Sequence, residues 1–352
     1  MSDFLGALQR EIQMYAFLPT NVSFETVFFG GGTPSLLAPH QLESILALLH
    51  STFHIQRDAE VTLETNPGTV TREKLDAFKS LGINRLSIGI QSFHEDELQF
   101  LSRIHDSRQA ESCVELARET GFKNVSIDLM YSLPGQTRLR WEENLLKALA
   151  LHPHHLSAYS LIVEDHTPLA RLVNAKQVSP NPVDVEAELY ECTMDIMAAH
   201  GYEHYEASNY ALPGFRSRHN SNYWNHENYL GFGPSAHSFW KKPGETAGRR
   251  WWNIANLSHY CARLHNNELP LVSEDVVSSK ELVTERIFLG LRSDGVNLKR
   301  LCADFGIELH QDQQSIIREL VAQNIATLEN DTLRLTSRGF LLCDEISGRL
   351  IT

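Results

Sequence analysis

Phe28-Phe29-Gly30-Gly31-Gly32-Thr33-Pro34-Ser35 is the stretch that decides the fold. A short apolar run over residues 26–29 is stopped by three glycines, and a helical pattern follows over residues 42–53. This is how a buried strand hands over to a helix that crosses back along a parallel sheet. The alternation repeats outward from there. Residues 60–65 are β-rich and stop at Asn66-Pro67-Gly68. Thr71 and Gly82 bracket a helix whose inner face carries Leu75, Phe78 and Leu81, and residues 85–91 form the next strand. Ser92, with Glu95 three residues on, reads as a capping box. Residues 109–120 are a helix closed by Gly121, 125–130 a strand, 141–151 a helix and 156–162 a strand. This βαβαβαβαβ order with short connections predicts an α/β fold: a parallel sheet with right-handed crossovers, closed as a barrel or partial barrel.

The flanks differ from this middle. Phe4, Leu8, Ile12 and Tyr15 recur at helical spacing, so the chain opens in an amphipathic helix rather than a strand. Past Thr167 come a linker over 174–182, a helix over 183–200 and an irregular, aromatic, glycine-rich stretch over 202–252. From Ser279 helices lead to two short strands, 326–328 and 333–335, about the turn Asn330-Asp331. That pattern predicts a small winged-helix-like α+β domain. The expected divisions are 1–165, 166–278 and 279–352.

The chain has 352 residues, of which 42% are hydrophobic, enough for a sizeable core. A net charge of −13 repels nucleic acids and anionic surfaces, and the hairpin at 333–335 offers few cations, so no nucleic-acid partner is expected. Apolar runs fall short of the roughly 20 residues of a membrane helix, and residues 1–10 lack a signal-peptide pattern. No transmembrane segment and a cytoplasmic address are therefore expected. Cys113, Cys192, Cys261, Cys302 and Cys343 lie dozens of residues apart, which suits buried thiols better than a metal box or a disulfide framework. His152, His154 and His155, around Pro153, read as solvated loop residues. No Ser-His-Asp order, P-loop, HExxH or GxGxxG stands out.

Ligands of parallel α/β folds bind at the carboxyl ends of the strands. Those ends carry Gly30-Gly31-Gly32-Thr33, then Glu64 and Asn66, Gln91, Asp128 and Tyr131, and Tyr159 and Ser160. The glycines are either a tight turn or a bend whose N–H groups meet an acceptor. Glu64 and Asp128 either accept hydrogen bonds from an ammonium or ribose hydroxyls, or cap helices or pair with Arg85 or Arg103. Together on one rim, these polar ends favour a ligand. His219-Asn220-Ser221-Asn222-Tyr223-Trp224 is either a packed aromatic loop or an imidazole beside rings suited to a flat ligand with an iron atom.

In order, FFGGGTPS, LETNPGT, RLSIGIQSF, SIDLMYSLPGQT and HLSAYSL resemble the radical S-adenosylmethionine proteins related to oxygen-independent coproporphyrinogen III oxidase, over nearly the whole chain. With HYEASNYA, HNSNYW and YLGFGPSAHSF the likeness is to the heme-chaperone branch. The resemblance implies a partial (β/α) TIM-like barrel over 1–165, a barrel extension with a heme-binding segment over 166–278, and the winged-helix-like domain over 279–352. It implies that Gly31, Gly32 and Thr33 contact S-adenosylmethionine, that Glu64, Gln91, Arg103 and Asp128 line the pocket, and that Ile162 and His237 match weaker positions. It also implies that His219, Asn220, Tyr223 and Trp224 bind heme, with His219 on the iron, which favours heme over the packed loop.

The family pattern places CxxxCxxC on the first barrel strand, where three thiolates hold a [4Fe-4S] cluster. This chain has no such motif, so that first strand and the cluster ligands are expected to be missing. Either the gene start is placed too far downstream or the protein is a cluster-free relative. The apolar run at 26–29, without guarding charges or prolines, points to the first. The implied function is binding heme and transferring it to an acceptor protein. Transient contact with membrane-bound acceptors and oligomerisation remain open. The alternative is the oxidase itself, a radical enzyme decarboxylating coproporphyrinogen III.

Overall fold

The computed structural model describes residues 2–16, 22–308 and 310–351. Strands β1 (Ser23–Phe29), β2 (His54–Thr65), β3 (Arg85–Gln91), β4 (Val125–Tyr131), β5 (His155–Ser160), β6 (Glu203–Glu206) and β7 (Asn209–Ala211) form one sheet, in the order β1-β2-β3-β4-β5-β7-β6. It curls into the half-barrel that the βα repeat predicts. β2 to β5 are parallel neighbours, whereas β7 runs antiparallel to β5 and β6 antiparallel to β7. Only Ala207 and Ser208 join β6 to β7, and a link that short permits only antiparallel pairing. β1 starts earlier than the apolar run at 26–29 and carries Glu25, so this strand does hold a charge.

The helices between the strands begin and end on local chemistry. Thr71 accepts from the N–H of Lys74 to start Arg72–Ser80, and Gly82, at φ +98°, lets the chain turn out of it. Asp106 and Gln109 close a capping box on Ser107–Glu119. The proposed Ser92–Glu95 box does not form. The helix there is Glu95–Phe100 with His94 at its N-cap. Ser92 Oγ instead donates to Glu97 (2.5 Å), and Glu95 accepts from the N–H of Ser107 (3.0 Å). The helix starts two residues later than the motif requires, so the two side chains face different partners.

Leu86, Ile88 and Ile90 of β3 and Val125, Ile127 and Leu129 of β4 are at most 1% exposed. The intervening residues point to the opposite face. Parallel register aligns them in rows: Glu64 with Ser87, Ser87 with Ser126, Ser126 with His155, then Gly89 with Asp128 and Asp128 with Ser157. His155, expected in a solvated loop, is in fact the first residue of β5 and is buried. Its Nδ1 contacts Ser126 Oγ (2.7 Å) and its Nε2 the Tyr205 hydroxyl (2.8 Å). Arg85 is buried too, donating to Asn124 Oδ1 (3.0 Å) and the Phe215 carbonyl (3.1 Å), with Glu60 at 3.7 Å.

The chain divides into two compact units, one of residues 27–39 and 60–217, the other of 1–26, 40–59 and 218–352. Within the second, the stretch expected to be irregular contains β8 (His237–Trp240) and β9 (Gly248–Asn253). With β10 (Leu271–Val277) they form an antiparallel sheet, ordered β10-β9-β8. The opening helix, Ser2–Met14, buries Ile12 as its periodicity predicts but Phe4 and Leu8 only in part, and it also buries Ala7 and Glu11. That carboxylate accepts from the Gly233 N–H (2.8 Å), the Tyr260 hydroxyl (2.5 Å) and the Asn253 amide (2.5 Å). Desolvation pushes it up to about 7, against the pull of these three donors. At the C-terminus, helices Ser279–Leu291, Leu298–Phe305 and Gln311–Ala322 share a core, including Leu291, Leu301 and Leu320, with the strands β11 (Val296–Asn297), β12 (Ala326–Glu329) and β13 (Thr332–Leu335). Asn330 and Asp331 both take positive φ, the tight hairpin turn their identities predict.

Candidate functional site

The glycine run leaves β1 as an open bend. Gly31 sits at φ +100°, and a side chain there or at Gly32 would meet nothing within 4 Å. Gly30 is different: a Cβ would come within 2.3 Å of Phe28 and 2.9 Å of Glu64. Glu64, at the end of β2, accepts the Gly31 N–H at 3.1 Å. The chain beyond the bend is tied to the next strand end. Ser35 Oγ lies 2.6 Å from Thr69 Oγ1 and accepts the Asn66 N–H (3.2 Å), and Lys74 Nζ donates to the carbonyls of Ser35 and Thr69. Thr33 precedes the short helical turn Pro34–Leu36.

Burial pushes Glu64 up to about 7, the charge of Asp128 adds to the rise, and the Gly31 N–H opposes it. Asp128 is raised by desolvation, opposed by hydroxyls of Ser87 on β3, Ser157 on β5 and Ser126 on its own strand. Ser87 Oγ lies 2.9 and 3.0 Å from the two carboxylate oxygens. Arg85 forms its ion pair with Glu60, at 3.7 Å, and acts on Asp128 only as a nearby charge that lowers it. Arg103 feels the charge of Asp128, is lowered by desolvation, and its buried Nε has no hydrogen-bond partner. Gln91 ends β3 at φ +73°, where the β3–β4 register slips, and is 8% exposed. A glutamine held there is strained backbone at a strand end. Thus Gly31, Glu64, Asp128 and Arg103 are coupled, Gln91 lies one strand over, and Ile162 is 74% exposed in the loop after β5. His237 belongs to the other compact unit, stacked on Trp252 at 5.9 Å. The sequence reading missed the three serines; the signal for Ser87 and Ser157 was the parallel register, and for Ser126 the period of two along β4.

His219, Asn220, Tyr223 and Trp224 lie on a helix, Arg218–Trp224, not in a loop. Residues four apart share a helix face, and His219 and Tyr223 meet edge to face at 5.0 Å. Tyr223 continues to Tyr229 at 4.5 Å and is 41% exposed. His219 Nδ1 lies 3.1 Å from Thr26 Oγ1, and Arg218 donates to the Asp58 carbonyl (2.7 Å) and Glu25 (3.4 Å). Burial pushes the imidazole down to about 4, so it is neutral at physiological pH, the form that binds a metal. His226, two residues past the helix, pairs with Glu285 at 2.9 Å, and Arg250 grips the same carboxylate with two bonds.

Cys113, Cys192, Cys261 and Cys343 are buried and Cys302 is partly so. Among the described residues no three His, Cys, Asp or Glu side chains gather as metal ligands, so the residues present do not fit a [4Fe-4S] cluster. No helix among the described residues is long and apolar enough to cross a membrane.

Residues 10–148 match the radical SAM superfamily and residues 277–342 the HemN C-terminal domain. A heme chaperone HemW from Bacillus subtilis is 35% identical over 353 residues, covering 100% of this chain and 92% of that protein. The one from Lactococcus lactis is 35% identical over 349 residues, covering 99% and 89%. Among solved structures, the coproporphyrinogen III oxidase HemN from Escherichia coli, described as a radical SAM enzyme, superposes with a TM-score of 0.83 at 21% identity, covering 100% of this chain and 83% of that one. That last likeness is one of fold. Full-length identity at this level places the chain in the HemW family of the radical SAM superfamily.

Proposed function

We propose that this protein binds heme and passes it to an acceptor protein in the cytoplasm, with His219 on the iron. The observation that carries this is the helix Arg218–Trp224, which sets a neutral imidazole and the Tyr223 ring on one face. An imidazole ligates iron while an aromatic ring lies against the macrocycle. Asn220 and Trp224 complete the segment. The full-length relatives named heme chaperones support the same cargo.

The strand ends form a second element, proposed to hold S-adenosylmethionine. Its donor set fits. Glu64 and Asp128 suit an ammonium and ribose hydroxyls, the open backbone at Gly31 and Gly32 and the Thr33 side chain suit a close carboxylate, and the orphaned Nε of Arg103 awaits an acceptor. Gln91 and Ile162 flank the pocket in this proposal. S-adenosylmethionine would supply a sulfonium, and these residues would orient it. The radical SAM family implies a [4Fe-4S] cluster as well, but its thiolates are not among these residues. We take residues 1–165, 166–278 and 279–352 as barrel, heme-bearing extension and C-terminal domain.

The test is titration of the purified protein with hemin, followed by the Soret band. His219→Ala should weaken binding by more than the ~10–100-fold that a residue supporting a metal ligand is worth. An unchanged spectrum and affinity would remove His219 from the iron.

A further inference from the structure

We propose that Thr26 is the positioning residue that selects which nitrogen of His219 meets the iron, and this rests on His219 being the heme ligand. Thr26 Oγ1 stands 3.1 Å from Nδ1 across 193 residues of sequence. A neutral imidazole carries one ring proton. When Nδ1 holds it, the Thr26 oxygen accepts it, and the lone pair for a metal is on Nε2. When Nε2 holds it, the Thr26 hydroxyl donates to Nδ1 and neither nitrogen is ready for iron. Heme binding therefore selects the first arrangement, and Thr26 supplies the acceptor that arrangement needs. A hydrogen bond at the remote nitrogen fixes the ring's orientation and raises its basicity as a ligand.

The backbone around the pair supports this. Arg218, next to His219, donates to Glu25, next to Thr26, and to the Asp58 carbonyl on β2. Two consecutive helix residues are thus anchored to two consecutive residues of β1. A helix of 7 residues is too short to hold itself, so the strand sets its place. Thr26 is half-buried in a strand, where valine has the same shape and no hydroxyl.

Thr26→Val and Thr26→Ser are compared with the unaltered protein and with His219→Ala, using hemin affinity and the iron–histidine stretching band of the reduced protein in resonance Raman spectra. Thr26→Val should lower affinity about ten-fold and move the band to lower wavenumber, and Thr26→Ser should restore both. If His219→Ala keeps its hemin affinity and spectrum, the iron ligand is elsewhere and the proposal falls with it. If His219→Ala loses hemin while Thr26→Val keeps affinity and band, His219 stands and the role of Thr26 is overturned. If Thr26→Ser fails like Thr26→Val, packing rather than the hydroxyl is responsible, which also overturns it.

Discussion

Replacing Glu11 by alanine is the sharpest test of how the opening helix is held. The carboxylate accepts from the Gly233 N–H, the Tyr260 hydroxyl and the Asn253 amide. Alanine leaves the first two without an acceptor. Asn253 is spared in part, because its amide also donates to the Gly233 carbonyl at 2.9 Å. Two orphaned buried donors at about 1–3 kcal/mol each, less the relief of no longer burying a carboxylate, give a loss of about 2–4 kcal/mol. The acid's own titration has a definite sign. Its value rises from 4.5 to about 7 on folding, so the folded state binds the proton more tightly. The stability it adds is fully present below 4.5 and is lost as pH rises through 7. The assay is hydrogen exchange at the Gly233 amide with thermal unfolding read from tryptophan fluorescence, since Trp251 donates to the Tyr15 hydroxyl in the same unit (2.8 Å). Glu11→Ala should cost Gly233 about two decades of protection, and Glu11→Gln should flatten the pH dependence between 4.5 and 7. Undiminished protection, or a loss below about 0.5 kcal/mol, would refute the three-donor account.

Gly30→Ala should displace Phe28 and Glu64, since the new Cβ would stand 2.3 and 2.9 Å from them. A fall of about ten-fold in S-adenosylmethionine affinity by equilibrium dialysis, or about 1.4 kcal/mol, is expected, and unchanged affinity would detach the bend from the ligand. Gly295→Ala would place its Cβ 2.5 Å from the Leu333 carbonyl at φ +99°, so the C-terminal domain should lose about 2 kcal/mol or more in thermal unfolding. A loss below about 0.5 kcal/mol would show that the backbone there shifts freely.

The half-barrel was legible because its signals are local: apolar runs, caps at Thr71, and glycine stops such as Gly82 and Gly121. The polar strand ends were legible for the same reason, since a period of two separates Glu64 and Asp128 from their buried neighbours. Ser87 and Ser157 were not, because only strand register brings them to Asp128, whereas Ser126 shares its face two residues back on the same strand. His155 was misjudged from its polar neighbours when one residue's shift in the strand start buries it. The helix Arg218–Trp224 was hidden for a different reason. Asn220, Ser221 and Asn222 are weak helix formers, and tertiary anchoring overrides that preference.

Both candidate ligand elements are segments that cannot fix their own shape. The glycine bend has no side chains to pack, and its conformation is held by Glu64 at Gly31 and by the Ser35–Thr69 contact just beyond it. The helix Arg218–Trp224 buries none of its residues fully and is held through Arg218 and His219. In each case the group proposed to meet a ligand also carries the bond that anchors its segment: Glu64 for the bend, His219 for the helix. Binding and local order are therefore coupled. A ligand that draws Glu64 away from Gly31 must replace that acceptor, and one that takes His219 Nε2 keeps the Nδ1 anchor only if Thr26 is the acceptor. This predicts different behaviour for the two elements, the bend reorganising as it fills and the helix tightening on a contact already made.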